Sequence, residues 1–415
     1  MTRDIIYQIF PDRFCDGNEL NNPQNSKKWN SPVDRECFMG GDLEGIISKL
    51  DYIKALGATA IYLNPIFQSP SNHKYDTSDY FKIDDSFGTV KDFENLVTEC
   101  HKKNIKIIID GVFNHTSTEF FAFKDILINQ EKSKYINWYH ILNYPVVVTT
   151  PPPYKACGGA SFLPKLNTKN LEVQNYIISI VKFWEGKGID GIRFDVPFEI
   201  EPSLLKRIRE ETKLYLIGEI WGYGGDYVPR YFDGVTNYLL RDLIKKAVVN
   251  QCITSKMFVD EWNTIYSMYG DNINSMVNLA GSHDTERIYT LCQNNINKEK
   301  IFYAFLFSLP GIPLIYYGDE IGLKGENDPY CRGCMDWDKY NWNKEIYNNI
   351  KELANINNTN EVFKDGKVKL TSLGERVLII TRYDNKKSIS VIINFGFQSE
   401  IINGSVIEPM SFKFI

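Results

Sequence analysis

Short β-prone runs alternate with longer stretches of helical spacing along most of the chain. Ile5–Phe10, Ala58–Leu63 and Ile105–Ile109 read as strands, and the stripe Leu43, Ile46, Ile47, Leu50, Ile53 and Leu56 predicts a helix over Leu43–Leu56. Val90–Lys103 has the same helical spacing. The rhythm breaks from Gly111 to Asn170, where Pro151-Pro152-Pro153 and Gly158-Gly159 interrupt and few helical repeats occur. Ordering so long a bare loop costs too much, which predicts a small inserted subdomain. Alternation returns with helix Leu171–Gly186, strand Gly191–Phe194, helix Pro202–Thr212 and strand Leu214–Gly218. Strands at Gly234–Tyr238, Ser275–Leu279 and Pro313–Tyr317 follow, the last two separated by helix Lys298–Leu309.

Eight strands joined mainly by helices predict an α/β chain folded as a (β/α)8 barrel. Its expected parts are residues 1–110 and 171–350, with residues 111–170 as the insert after strand three. From Val362 the runs turn short and β-prone: Val368–Leu370, Val377–Thr381, Ser388–Asn394 and Val406–Phe414. These predict a small C-terminal antiparallel β-domain over residues 351–415.

Composition narrows the function classes. A net charge of −5 carries no nucleic-acid signal, and no apolar run is long enough to span a bilayer. Nothing after Met1 resembles a leader, so the expected compartment is the cytoplasm. Eight cysteines do not form a disulfide scaffold, and the single Cys331-x-x-Cys334 has no partner pair for zinc. Aromatic residues make up 14%, which fits either core packing or a surface for sugar rings.

Three acids sit at or beside strand ends: Asp195 after Gly191–Phe194, Glu219 after Leu216–Gly218, and Asp284 past Leu279. Any one alone fits a helix cap or a solvated rim. Together, framed by Arg193, Trp221 and His283, they suit glycosidic cleavage, which needs one proton-bearing and one charged carboxyl group. Arg193 shares the orientation of Asp195, two residues on, and is expected to keep it ionised as a nucleophile. Apolar Ile217, Ile220 and Trp221 are expected to make Glu219 the acid. Asp284 would bind sugar hydroxyls. His73, His115 and His283 follow strand ends too, and a neutral imidazole there can donate to a sugar.

The motifs Asp110-Gly111-Val112-Phe113-Asn114-His115, Gly191-Ile192-Arg193-Phe194-Asp195, Gly218-Glu219-Ile220-Trp221-Gly222 and Gly281-Ser282-His283-Asp284, in this order, resemble the α-amylase family of glycoside hydrolases. The resemblance covers residues 1 to about 345. Leu163-Pro164-Lys165-Leu166-Asn167, Gly318–Leu323 and Asn327–Arg332 look like its cyclomaltodextrinase, neopullulanase and maltogenic amylase branch. The family likeness implies a retaining hydrolase of α-1,4-glucosidic bonds in maltooligosaccharides, cyclodextrins or starch-like glucans. α-1,6 cleavage or glycosyl transfer is the alternative, and a non-catalytic glucan-binding relative a remote third. It implies Asp195 as nucleophile, Glu219 as acid and base, and Asp284 as transition-state stabiliser. It places His115, Arg193 and His283 near the sugar, Tyr75 beneath its ring, Asp328 and Arg332 at the neighbouring sugar, Trp221 on the leaving-group side, Lys165 near bound sugar and Asp110 as a structural hub.

Two departures stand out. Pro197-Phe198-Glu199 replaces the branch's Ala-Asn-Glu, so Phe198 takes the place of an amide beside Glu199 on the acceptor side. The branch also carries an N-terminal β-domain that helps form dimers, whereas strand one is expected here at residue 5, so a monomer or weak homo-oligomer is expected. Asp16, Asn18, Asn21, Asn22, Gly40 and Asp42 correspond to a structural calcium (Ca2+) site in the branch; an Asn-rich turn reads equally from the residues. The displacement needs no organic cofactor.

Overall fold

The computed structural model describes residues 4–402 and 404–415; residues 1–3, which open the segment read for a leader, lie outside the described residues. Eight strands run parallel: β1 (Ile6–Ile9), β2 (Ala60–Leu63), β3 (Lys106–Gly111), β4 (Gly191–Phe194), β5 (Tyr215–Gly218), β6 (Gly234–Val235), β7 (Val277–Leu279) and β8 (Ile312–Tyr316). Their order is β6-β5-β4-β3-β2-β1-β8-β7, and a parallel bridge from Thr236 to Val277 closes the ring. The runs are nearly continuous in apolar residues because helices and barrel interior bury both faces. The architecture is the (β/α)8 barrel predicted, with antiparallel strands at the C-terminus.

Local chemistry sets the helix ends. Thr89 and Asp92 form a reciprocal capping box at Val90–Lys102, which buries Phe93, Leu96, Val97 and Cys100. Asn170 caps Leu171–Gly186, whose Trp184 donates its indole N–H to Tyr80 O at 2.8 Å. The stretch expected as one helix, Leu43–Leu56, is two: Leu43–Ser48 and Leu50–Leu56. Lys49 N–H bonds Ile46 O at 3.0 Å, an i−3 bond that tightens and ends the first segment.

Other elements escaped the periodicity. Ser255–Tyr269 buries Phe258, Trp262, Ile265 and Tyr269 at helical spacing, and Lys344–Thr359 buries Ile346, Ile350, Leu353 and Ala354. The second helix runs through the domain boundary expected at 350/351. Its Asn358 side chain bonds Gly57 O at 2.8 Å, tying it to the barrel wall. Thr236 makes only the closing bridge, and Tyr238 begins a helix, Tyr238–Ile244, so the strand expected to Tyr238 stops at Val235.

The 111–170 excursion contains helix Phe121–Asn129 and isolated bridges, among them His115 to Lys165 and Tyr139 to Leu166. The C-terminal strands Lys367–Leu373, Val377–Tyr383, Ser388–Asn394 and Ser411–Phe414 pair antiparallel in that order. Among the described residues no helix is long and apolar enough to cross a membrane.

Candidate active site

Barrel register brings distant acids together. Asp110 on β3 lies opposite Arg193 on β4, Asp195 follows β4, and Glu219 follows β5. The buried Arg193 guanidinium is shared by all three. Its Nη1 reaches Asp110 at 2.9 and 3.0 Å and Asp195 Oδ1 at 3.1 Å, while Nη2 reaches Glu219 Oε1 at 2.9 Å. One guanidinium touching both acids confines Asp195 and Glu219 to the separations, under about 10 Å, that serve glycosidic cleavage.

This refines one expectation and corrects another. Arg193 contacts Asp195 as expected but is shared with Asp110 and Glu219, and Glu219 does not face an apolar pocket. Glu219 Oε2 accepts the Val196 N–H at 3.2 Å, and Oε1 accepts the Trp221 indole N–H at 3.3 Å. Burial pushes the Asp195 carboxyl well above its ordinary pKa; Arg193 opposes the push, while Glu219, Asp110 and Asp284 add to it. Val196 takes φ 46° and ψ 47°, a left-handed conformation that costs a β-branched residue about 1–3 kcal/mol. That turn is what aims its N–H at Glu219.

Asp110 is fully buried and also accepts the hydroxyls of Tyr62 at 2.6 Å and Tyr75 at 2.9 Å. Tyr75 continues the network: Asn64 Nδ2 donates to its hydroxyl at 3.1 Å, and His283 Nε2 lies 2.6 Å away. Gln8 Nε2 donates to Asn64 Oδ1 at 3.0 Å and to His283 Nδ1 at 2.9 Å. With Nδ1 accepting, the His283 ring proton sits on Nε2, which also lies 3.0 Å from Asp284 Oδ2. Burial raises the Asp284 pKa, but His283 and Arg332 outweigh it and hold the carboxyl below the usual carboxylate range. Tyr75 and His283 stand parallel, with ring centres 5.4 Å apart. Gln8, Tyr62, Asn64 and Val196 were missed from the sequence. Gln8 and Asn64 left one signal, a polar residue within and just after buried strands.

His115 and His73 are neutral at physiological pH: burial lowers each to about 4 against the pull of nearby acceptors. His115 Nε2–H donates to Tyr75 O at 3.1 Å, leaving a buried Nδ1 without a hydrogen-bond partner. The ring atom left over is therefore an acceptor, where a donor was expected. His73 Nδ1 accepts the Tyr75 N–H at 3.1 Å, which leaves its Nε2–H as the donor.

Both folded values lie below the ordinary imidazole value, so the unfolded chain takes up these protons first. The stability they contribute is present above about pH 6.5 and is lost as pH falls toward 4. Unfolding free energies from urea titrations at pH 7 to 4.5 are expected to fall by on the order of 2 kcal/mol per buried ring. His115→Gln is expected to flatten that slope; an equally steep fall in the variant would contradict the assignment.

Around this centre, Arg332 Nη2 reaches Asp284 at 3.2 Å and Nη1 reaches Asp328 at 2.9 Å. Glu199 Oε2 accepts Lys165 Nζ at 2.8 Å and Asn114 Nδ2 at 3.0 Å, tying the insert to the loop after β4. Trp221 stacks on Tyr238 at 3.9 Å and is 47% exposed; Phe198 is 53% exposed, so both leave apolar surface open to a ligand. Asp319 and Glu320, in a motif shared with the branch, are structural: Asp319 holds Arg287 at 2.9 Å and Glu320 accepts the Tyr7 hydroxyl at 2.6 Å.

The loop after β1 gathers the expected calcium residues. Asn22 Nδ2 donates to Asp16 Oδ2 at 2.8 Å, while Asp16 Oδ1, Asn21 Oδ1 and Asn22 Oδ1 are buried without hydrogen-bond partners. Gly40 has φ +85°, and a Cβ there would meet Asn22 Oδ1 at 2.4 Å, so only glycine admits that side chain. Asp42 accepts backbone N–H groups of Gly17, Asn18 and Gly45, and Asn18 Oδ1 accepts Leu20 N–H at 3.1 Å. Three orphaned oxygens of hard, neutral and anionic donors suit a calcium ion.

Comparison with known proteins agrees with this geometry. The profile of the α-amylase catalytic domain matches residues 8–369. The chain is 41% identical over 412 residues to a cyclomaltodextrinase of Thermoanaerobacter pseudethanolicus, covering 96% of this chain and 71% of the relative. It is 40% identical over 362 residues to neopullulanase 2 of Thermoactinomyces vulgaris, covering 85% and 62%. The ligand-free cyclic α-maltosyl-(1→6)-maltose hydrolase of Arthrobacter globiformis superposes with a TM-score of 0.98 at 35% identity, covering 100% of this chain and 98% of that one. The chain therefore belongs to the α-amylase family of glycoside hydrolases, in the branch of the cyclomaltodextrinases, maltogenic amylases and neopullulanases.

Proposed function

We propose that this protein is a retaining hydrolase of α-1,4-glucosidic bonds in short or cyclic α-glucans, working by a covalent glycosyl-enzyme intermediate. The observation that carries the reading is Arg193 bridging Asp195 and Glu219 just past the ends of β4 and β5. Glu219, acting as the acid, protonates the departing glycosidic oxygen while Asp195 attacks the anomeric carbon. Glu219 then takes a proton from water, which attacks the same carbon and releases Asp195. The ionised Asp284, held by His283 and Arg332, binds sugar hydroxyls and favours the oxocarbenium-like transition state.

The near-complete match to a hydrolase of cyclic α-maltosyl-(1→6)-maltose supports a second substrate class, small rings that also carry α-1,6 links. Separating products from maltotriose, cyclodextrin, pullulan, isomaltose and that cyclic tetrasaccharide distinguishes the two. Cleavage of maltotriose and cyclodextrin supports the first reading. Turnover of the cyclic tetrasaccharide alone favours the second, longer early products from maltotriose mark glycosyl transfer, and inertness toward all five fails both.

Calcium held by Asp16, Asn21 and Asn22 would pin the loop after β1 and supplies no chemistry to the displacement. Metal analysis of dialysed protein is expected to find calcium, and a chelator to lower the melting temperature by about 3 °C. Protein free of metal, with unchanged melting, would remove that assignment. A cytoplasmic location completes the proposal, supported by the name of the intracellular maltogenic amylase of Bacillus subtilis, 37% identical over 408 residues.

A further inference from the structure

On the flank of the barrel, helices Ile296–Ser308 and Lys344–Thr359 meet the C-terminal strand Ser411–Phe414 around a cavity of about 600 Å³. Its lining residues are all distinct from those of the active site. Its size falls in the range of small-molecule sites, roughly 300–1,000 Å³, which often sit where domains join. Helix spacing builds one wall: Asn349, Glu352 and Ile356 stand at i, i+3 and i+7 and so share a face of the second helix. Asn297 and Lys300, three apart, do the same on the first. The opposite wall is braced. Asn394 Nδ2 donates to Ile407 O and Glu408 O, each at 3.1 Å, and Ser411 Oγ donates to Glu408 O at 2.7 Å. Phe414 stands edge-on to both Phe363 and Phe412, with ring centres 6.2 and 6.0 Å away. Phe412 and Phe414 are only half-buried, so part of each ring remains as an apolar wall.

Asn349 is the exception in this packing. It is 7% exposed, lies among Ile346, Ile350 and Leu353 on the buried stripe of its helix, and its Nδ2 has no hydrogen-bond partner among the described residues. An unpaired buried donor costs stability, whereas an apolar residue there would leave nothing unpaired, so folding does not account for the amide. A hydrogen-bonding ligand in the cavity does. The charges of the lining cancel: two lysines, Lys300 and Lys413, stand with two glutamates, Glu352 and Glu408. Electrostatic complementarity therefore favours an uncharged ligand over a phosphate or a cation. Apolar ring faces, a buried amide and a neutral rim together match a sugar, whose rings carry apolar faces edged with hydroxyls.

We propose that this cavity is a second, non-catalytic binding site for α-glucan: a glucose unit packs against Phe412, and one of its hydroxyls hydrogen-bonds the Asn349 amide. The choice of glucan rests on the hydrolase reading; the neutral, hydroxyl-rich class of ligand rests on the cavity itself. A chain held here raises the local concentration of polymer, so the site acts on long glucans and not on maltotriose.

The test is retardation in native gels containing glycogen, with melting and kcat/KM on maltotriose measured alongside, for the unaltered protein, N349A and F412A. N349A is expected to melt no lower than the unaltered protein, because it removes an unpaired buried donor and places a strong helix former within the helix. Its apparent Kd for glycogen is expected to rise about fivefold, the worth of one hydrogen bond, while kcat/KM on maltotriose stays unchanged. F412A should weaken glycogen binding in the same direction. Equal retardation of all three proteins overturns the proposal, as does an N349A protein that loses glycogen binding and maltotriose turnover together, which marks a structural role. If retardation weakens in N349A but the unaltered protein cleaves no glucan, the second site stands and the hydrolase reading fails.

Discussion

Asp195→Asn is expected to lower turnover of α-glucans by about 10⁴-fold while the protein still folds. The amide keeps the shape of the side chain but cannot form the acylal bond to the sugar. Folding is expected to survive because Asp195 lies past the end of β4, where Asp110 and Glu219 still satisfy Arg193. The substitution also removes a buried charge and its repulsion from three neighbouring carboxylates, which together raise the Asp195 pKa, so melting should hold or rise slightly. Thermal unfolding and initial rates with maltotriose check both halves. Near-normal activity in the purified variant would remove Asp195 from the nucleophile's role.

Glu219→Gln is expected to cost about 10²–10⁴-fold with natural glucans, where the leaving sugar needs a proton. The loss should shrink sharply with an α-glucosyl fluoride, whose leaving group departs unprotonated. That contrast separates an acid from a residue that merely positions Arg193. Glu219 does touch Arg193 Nη2 at 2.9 Å, so a purely positional role predicts the same loss with both substrates. Equal losses would therefore sink the acid assignment and leave Glu219 as a brace.

The strand ends were legible because a parallel barrel buries nearly everything else along its strands. In Gly191–Phe194 a single charged residue, Arg193, interrupts an apolar run, and a carboxylate follows at once; such interruptions mark the open end of the barrel. The sharing of Arg193 among Asp110, Asp195 and Glu219 was not legible, because it depends on register between β3, β4 and β5. The same limit hid Gln8, whose amide reaches His283 across 275 positions of sequence. His115 could be placed near the sugar but its tautomer could not, since that is set by the Tyr75 carbonyl. The left-handed turn at Val196 contradicts local preference and exists only because the surrounding site enforces it. In Lys344–Thr359, five Asn residues masked a regular apolar stripe, so tertiary packing rather than propensity makes that helix.

The most direct test of the central claim is mass spectrometry of the protein incubated with 5-fluoro-α-glucosyl fluoride, followed by peptide mapping. The second fluorine destabilises the oxocarbenium-like transition state for release, so a covalent intermediate accumulates. A two-carboxylate displacement predicts one added sugar per chain, on the peptide carrying Asp195 and on that side chain. A sugar attached to Glu219 or Asp284, or turnover of the fluoride with no adduct and inversion at the anomeric carbon, would contradict it.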